Sequence, residues 1–268
     1  MPFDPAGGKP LTYSSYLKVD ELLALQVPLS DGPEHDEMLF IVIHQVYELW
    51  FRQVIHELEE LRARLTAGPS APALATLKRI LTILKTLVAQ VDVVETITPV
   101  SFSSFRDRLE TASGFQSAQF REVEILLGAR DRRIVDHHPA GSAGRLRLER
   151  RLAEPAIWDA FLHYLRRHGH AVPRDLLDRD VREPAPPSPE VQAILLAVYR
   201  EHPVQSMICE RLLDLDEGLQ EWRYRHVKMV ERTIGTKRGT GGSSGAEYLK
   251  TTLFRPVFPD LWAIRSQL

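Results

Sequence analysis

The chain has 268 residues, of which 44% are hydrophobic and 26% charged, enough apolar content for a sizeable buried core and the balance of an ordinary globular protein. Its formal net charge of −2 argues against a basic nucleic-acid binder, and one cysteine, Cys209, excludes an intrachain disulfide or a cysteine-based zinc site within the chain. The opening MPFDPAGGKP has no basic region leading into an apolar core, and no stretch approaches the ~18 unbroken apolar residues of a membrane span, so a cytoplasmic protein without a membrane partner is expected.

Helical periodicity dominates the pattern. Residues 35–66 predict one long amphipathic helix, opened by Glu34, Asp36 and Glu37 where a helix N-terminus favours negative charge. A second helix is predicted over 72–97, stopped by Pro99, and a third from an N-cap at Ser101 that weakens around Ser113-Gly114. Shorter helices are expected over 114–128, 143–152, 155–168 and 189–200. The last long one runs from Pro203 to residue 234, with Gly235 at its C-cap. No period-2 run of β-branched residues exists, so an all-α fold without a sheet is expected. The proline-rich stretch 183–190 reads as an interhelical loop inside one domain spanning 1–268.

On the last long helix Ile208, Leu212, Leu215, Leu219, Trp222, His226, Met229 and Thr233 step alternately by four and three, forming one face. His226 is therefore expected to point inward, with Arg223, Arg225 and Lys228 pointing out. A core histidine satisfied by a hydrogen bond accounts for such a position, and so does an axial metal or haem ligand. On the first long helix Phe40 and His44 share a face, with the same two readings. Phe102, Arg106 and Leu109 recur at i, i+4 and i+7, with Ser113 a turn further on. An inward arginine needs an anion, either an acidic side chain or the carboxylate of a ligand.

The run Lys237-Arg-Gly-Thr-Gly-Gly-Ser-Ser-Gly245 fits neither a dinucleotide fingerprint nor a Walker loop; it reads as a linker or as a mobile lid whose Thr240 hydroxyl closes over a polar ligand. His56-Glu57-Leu-Glu-Glu60 reads as a solvated face, and Cys209 as small core filler. Asp136-His137-His138 and His168-Gly-His170 carry only weak metal-site signals.

Five segments in order, His35-Asp-Glu-Met-Leu-Phe-Ile-Val-Ile-His44-Gln, Phe105-Arg-Asp, Ser113-Gly-Phe-Gln-Ser117, Trp222-Arg-Tyr-Arg-His226 and the glycine run 237–245, together with Leu11-Thr-Tyr-Ser-Ser-Tyr-Leu17, resemble the tryptophan 2,3-dioxygenases. The resemblance implies haem b with His226 as proximal ligand. It also implies that His44 accepts the indole N–H of L-tryptophan, that Arg106 grips the substrate carboxylate, and that Thr240 holds its amino-acid end. Phe40 and Leu109 match walls around the indole, with Ser113 a polar contact near the haem. Tyr13, within an N-terminal segment 1–20, matches an aromatic lent to a neighbour's pocket in a homotetramer. Phe102 departs from the bacterial pattern, where a tyrosine often adds a carboxylate contact. The implied reaction adds both atoms of O₂ across the indole C2–C3 bond to give N-formyl-L-kynurenine. Two competing readings are a non-haem metal enzyme, which needs carboxylate and histidine ligands converging from several helices, and a helical interaction module, which leaves the inward Arg106 and the glycine loop without a purpose.

Overall fold

Three long helices carry the architecture, and their ends follow local chemistry. The computed structural model describes residues 10–32, 34–241 and 245–268, and among these no strand occurs. The short helices α1 (Tyr13–Leu17) and α2 (Val19–Leu23) precede α3 (His35–Ala67), which carries Asp36 and Glu37 in its first turn and ends at Gly68, whose φ of 103° is readily adopted only without a side chain. Helix α4 (Ser70–Val94) starts and stops slightly earlier than the periodicity predicts. Helix α5 (Pro99–Phe105) is capped by Thr98, whose hydroxyl accepts the Ser101 N–H at 3.1 Å; Ser101 is thus an inside residue rather than the expected cap.

The expected continuation of this third helix toward Ser113 does not form. After Phe105 the chain tightens into a 3₁₀ turn, Arg106–Leu109, and Glu110 takes a positive φ of 48°, which ends it. A second 3₁₀ turn, Gly114–Gln116, leads into α6 (Ala118–Leu127), followed by α7 (Arg132–Asp136), α8 (Ala143–Leu152), α9 (Ile157–Arg167) and α10 (Arg174–Leu177). Helix α11 (Pro189–Glu201) and the long α12 (Pro203–Ile234) each place proline in the first turn, and Gly235 caps α12. The short helices α13 (Ala246–Lys250) and α14 (Pro259–Ala263) close the fold.

Helix α12 packs along α4, and α3 packs against α4, α6 and α9. One continuous apolar cluster draws on residues from Phe51 to Ile264, with Leu58, Leu61, Leu65, Phe161 and Leu212 fully buried. Each such side chain contributes roughly 1.5–3 kcal/mol by leaving water. Gly218 lies at the close contact of the central pair: a Cβ there would stand 2.7 Å from Leu84 Cδ2, so a larger residue would require Leu84 to move. Buried Asp216 ties the C-terminal segment to α12 by accepting the N–H groups of Val257 (2.7 Å) and Phe258 (3.0 Å) and the Trp262 indole N–H (3.0 Å).

Two sequence expectations fail on charge. Arg223, expected to point outward, is buried and donates to Glu124 at 2.7 Å. Glu57, expected on a solvated face, is buried and accepts from Gln53 at 2.8 Å and Arg79 at 3.1 Å, while His56 beside it is exposed. In both cases a partner on another helix or turn offsets the cost of desolvating the charge. No described helix is long and apolar enough to cross a membrane.

Candidate functional site

A cavity of about 270 Å³ lies among α3, α5, α6, α12 and the turns that follow α5 and α12. Its helical wall is set by the two histidine stripes. On α3 the Phe40 and His44 rings lie 4.1 Å apart between centroids, and Phe102 and Phe105 pack on Phe40 at 5.8 and 5.5 Å. His44 Nδ1 lies 2.7 Å from the Phe40 carbonyl oxygen. A carbonyl only accepts, so Nδ1 carries the proton and Nε2 keeps its lone pair. Burial lowers the His44 pKa, with the Phe40 carbonyl and Glu48 opposing, and the imidazole is neutral at pH 7.

On α12 the His226 ring lies parallel to Trp222, with centroids 5.1 Å apart and planes 8° from coplanar. Trp222 in turn packs on Phe120 at 4.7 Å and Phe51 at 6.2 Å, which fixes the stack against the core. Burial pushes the His226 pKa down to about 4, helped by nearby His44 and Arg121. Its imidazole is thus a neutral base with a free lone pair in an apolar wall, the form a metal requires.

The opposite rim is made of turns. Arg106 donates to the Arg238 carbonyl oxygen at 2.6 Å, and the Thr240 hydroxyl donates to the Ala112 carbonyl. A Cβ on Gly241 would stand 2.7 Å from Ser113 Cβ, so glycine is what lets the 237–241 segment lie on the 111–113 turn. The glycine run, read as a linker or a lid, therefore rests over residues 237–241 against the turns after α5; its residues 242–244 lie outside the described residues. Phe40, His44, Phe102, Arg106, Leu109, Ser113, Thr240 and His226 all line this one cavity. Tyr13 does not: it sits on α1, 77% exposed.

The sequence reading missed a buried charge cluster in the wall. Glu124 accepts from Arg121 and Arg223, each at 2.7 Å, and all three line the cavity. One carboxylate between two guanidiniums gives this three-residue cluster a net positive charge, with Glu48 elsewhere on the wall, and Arg223 Nε is buried without a partner among the described residues. The i, i+3 spacing of Arg121 and Glu124 was the available signal. The weak metal motifs do not assemble: among the described residues no three His, Cys, Asp or Glu side chains converge on a metal position. His137 packs on Phe115, His168 Nδ1 lies 2.9 Å from the Tyr164 carbonyl, and His170 packs on His202.

These features define a helical pocket protein: an apolar interior cavity, two neutral imidazoles on separate long helices, and an arginine at the rim beside a glycine-rich segment. The chain belongs to the tryptophan 2,3-dioxygenase family, whose description matches residues 4–140 and 188–268. It is 61% identical to the tryptophan 2,3-dioxygenase of Herpetosiphon aurantiacus over 96% of this chain and 98% of that protein. It is 59% identical to that of Anaeromyxobacter sp. strain K over 96% of both chains, and 43% identical to that of Caulobacter vibrioides over 96% of this chain and 98% of its relative.

Proposed function

We propose that the chain is a haem-dependent dioxygenase that converts L-tryptophan and O₂ to N-formyl-L-kynurenine, the first step of tryptophan breakdown by the kynurenine route. The observation that carries this reading is the placement of a neutral His226 in the apolar wall of the same cavity that holds His44 and the Arg106 rim. The residues present fit haem: a free imidazole lone pair from His226, apolar and aromatic walls, and the net positive cluster of Arg121, Glu124 and Arg223. Haem b bound there would be held by His226 and would supply the redox chemistry with O₂.

The chain's own residues orient the substrate. Arg106, bonded among the described residues to the Arg238 carbonyl, would exchange it for the substrate carboxylate, a charge-assisted contact worth about 1.5–3 kcal/mol that selects an amino acid over free indole. Thr240, from the same segment, would hold the amino-acid end, and Ser113 would offer a polar contact near the haem. Phe40, Phe102 and Leu109 would wall the indole. His44 Nε2, left as an acceptor by the Phe40 bond, would receive the indole N–H. His44 cannot take that proton to any extent, because the indole N–H is a very weak acid and the buried imidazole is a weaker base than usual. Its contribution is position: holding the reacting C2–C3 bond in place lowers the entropic barrier.

The same reading makes the protein a cytoplasmic homotetramer in which Tyr13 enters a neighbour's cavity, and the exposure of the N-terminal segment supports a contact with another subunit. Helices α1 and α2 bury no residue, and Leu11, Tyr13 and Tyr16 are more than 70% exposed. The 1–268 span is proposed as one domain, in line with its continuous core. The test is an absorption spectrum of the purified protein, then anaerobic reduction and addition of L-tryptophan and O₂. A strong Soret band and N-formylkynurenine absorbance are expected; neither a non-haem metal enzyme nor an interaction module gives that band, and its absence overturns the reading.

A further inference from the structure

Behind the aromatic floor of the main cavity lies a second, smaller void of about 30 Å³, where α3, α4, α6 and α12 meet. Phe51, Phe120 and Trp222 line both spaces, so the two are separated by single side chains. The rest of the small wall is aliphatic, represented by Val54, Leu84, Val123 and Leu215, and no charged residue lines it. Beside it α12 already lies close on α4 at Gly218, where a Cβ would stand 2.7 Å from Leu84 Cδ2.

We propose that this void is a docking site for a small apolar gas, and that in the working enzyme it holds O₂ one side chain away from the reacting cavity. A void must offer roughly 10–15 Å³ to admit a water-sized molecule, and this one exceeds that. Water needs two to four polar partners to settle, which an aliphatic wall does not supply, whereas apolar voids of this kind take up xenon and other apolar guests. O₂ is apolar and of the same size class. A transient displacement of Phe120, the half-buried one of the three, would connect the two spaces and leave the Trp222–His226 stack in place. The choice of O₂ rests on the dioxygenase reading; the preference for an apolar gas does not.

The test uses xenon on the holoenzyme, by diffraction from pressurised crystals, together with steady-state kinetics at varied O₂. Xenon is expected in the void of the wild type and of the widened variant Leu215→Ala, and absent from the filled variant Leu215→Phe. In Leu215→Phe the KM for O₂ should rise about two- to fivefold, with kcat at saturating O₂ and KM for L-tryptophan unchanged. If Leu215→Phe does not fold, Val123→Ile fills the same space with one added methyl group and is read in the same way. Xenon missing from both the wild type and Leu215→Ala overturns the site. Xenon displaced by the filling residue with no change in KM for O₂ overturns the oxygen role. Xenon bound in a protein that makes no N-formylkynurenine supports the gas site while defeating the dioxygenase reading.

Discussion

His44 and His226 stand inside helices of 33 and 32 residues, whereas Arg106 stands on a 3₁₀ turn, Ser113 caps another and Thr240 lies on a glycine-rich segment. The two sides of the cavity are held in different ways. The helical side is fixed by stacking and core packing, with His226 on Trp222 and Phe40 against Phe102 and Phe105. The turn side is fixed by hydrogen bonds to the backbone, from Arg106 to Arg238 and from Thr240 to Ala112. Packing of the first kind yields only to local unfolding, while surface hydrogen bonds exchange readily with ligand or water. The helical side is thus suited to hold a permanent cofactor, and the turn side to capture and release a substrate.

Substitutions on the two sides should fail differently. On the helical side His226→Ala is expected to lose the histidine-ligated haem spectrum and essentially all activity; magnetic circular dichroism with unchanged axial histidine ligation would show that another residue holds the iron. On the turn side Arg106→Leu should keep its haem spectrum and raise KM for L-tryptophan, lowering kcat/KM roughly 10- to 150-fold, the equivalent of about 1.5–3 kcal/mol. Wild-type kinetics in that variant would mean that a different group grips the carboxylate.

His44 sharpens the comparison because it sits on the rigid side yet is assigned to substrate. His44→Ala should retain dioxygenation with a loss on the order of 10- to 10²-fold, and 1-methyl-tryptophan should fare relatively better in it than in the wild type. Complete inactivity with haem and substrate binding intact would point to obligatory base catalysis. The pH profile tests a different point, whether His44 acts in its neutral form, since an acceptor and a base both need the free Nε2 lone pair. Because burial lowers the His44 pKa from its ordinary 6.5, Nε2 stays an acceptor at pH 6.5 and is protonated only below it. Wild-type kcat/KM should therefore fall only as pH drops below 6.5, and His44→Ala should lack that acid limb. The smallest effect is expected from Gly241→Ala, whose added methyl meets Ser113 Cβ at 2.7 Å and lifts the segment from the arginine turn. KM for L-tryptophan should rise about threefold with kcat nearly unchanged, and equal KM values would show that this contact plays no part in substrate capture.

The two sides also differed in how far the sequence revealed them. Periodicity alone put His44 and His226 on inward faces, because a 3.6-residue repeat survives in any long helix packed on a core. The same rule misassigned Arg223, and the alternating charge of 56–60 misassigned Glu57, since both sort residues by polarity and cannot see a partner on another helix, here Glu124 and Arg79. Phe102, Arg106 and Leu109 were grouped as one helical face, but the helix tightens after Phe105, and their shared cavity comes from the turn. The contacts from Arg106 and Thr240 end on backbone carbonyls, which every residue carries and no side-chain pattern marks. The residue pattern marked Arg106 as a seat for an anion and Thr240 as part of a possible lid, but not the turn geometry that brings the two to one rim.

If this cavity brings L-tryptophan and O₂ together, both atoms of one O₂ molecule enter one product. Turnover of the reduced holoenzyme under oxygen-18 gas, followed by rapid quenching and mass spectrometry of the product, measures this directly. N-formyl-L-kynurenine carrying two labelled oxygens is the predicted result. A product with one labelled oxygen or none would exclude dioxygenation in this cavity.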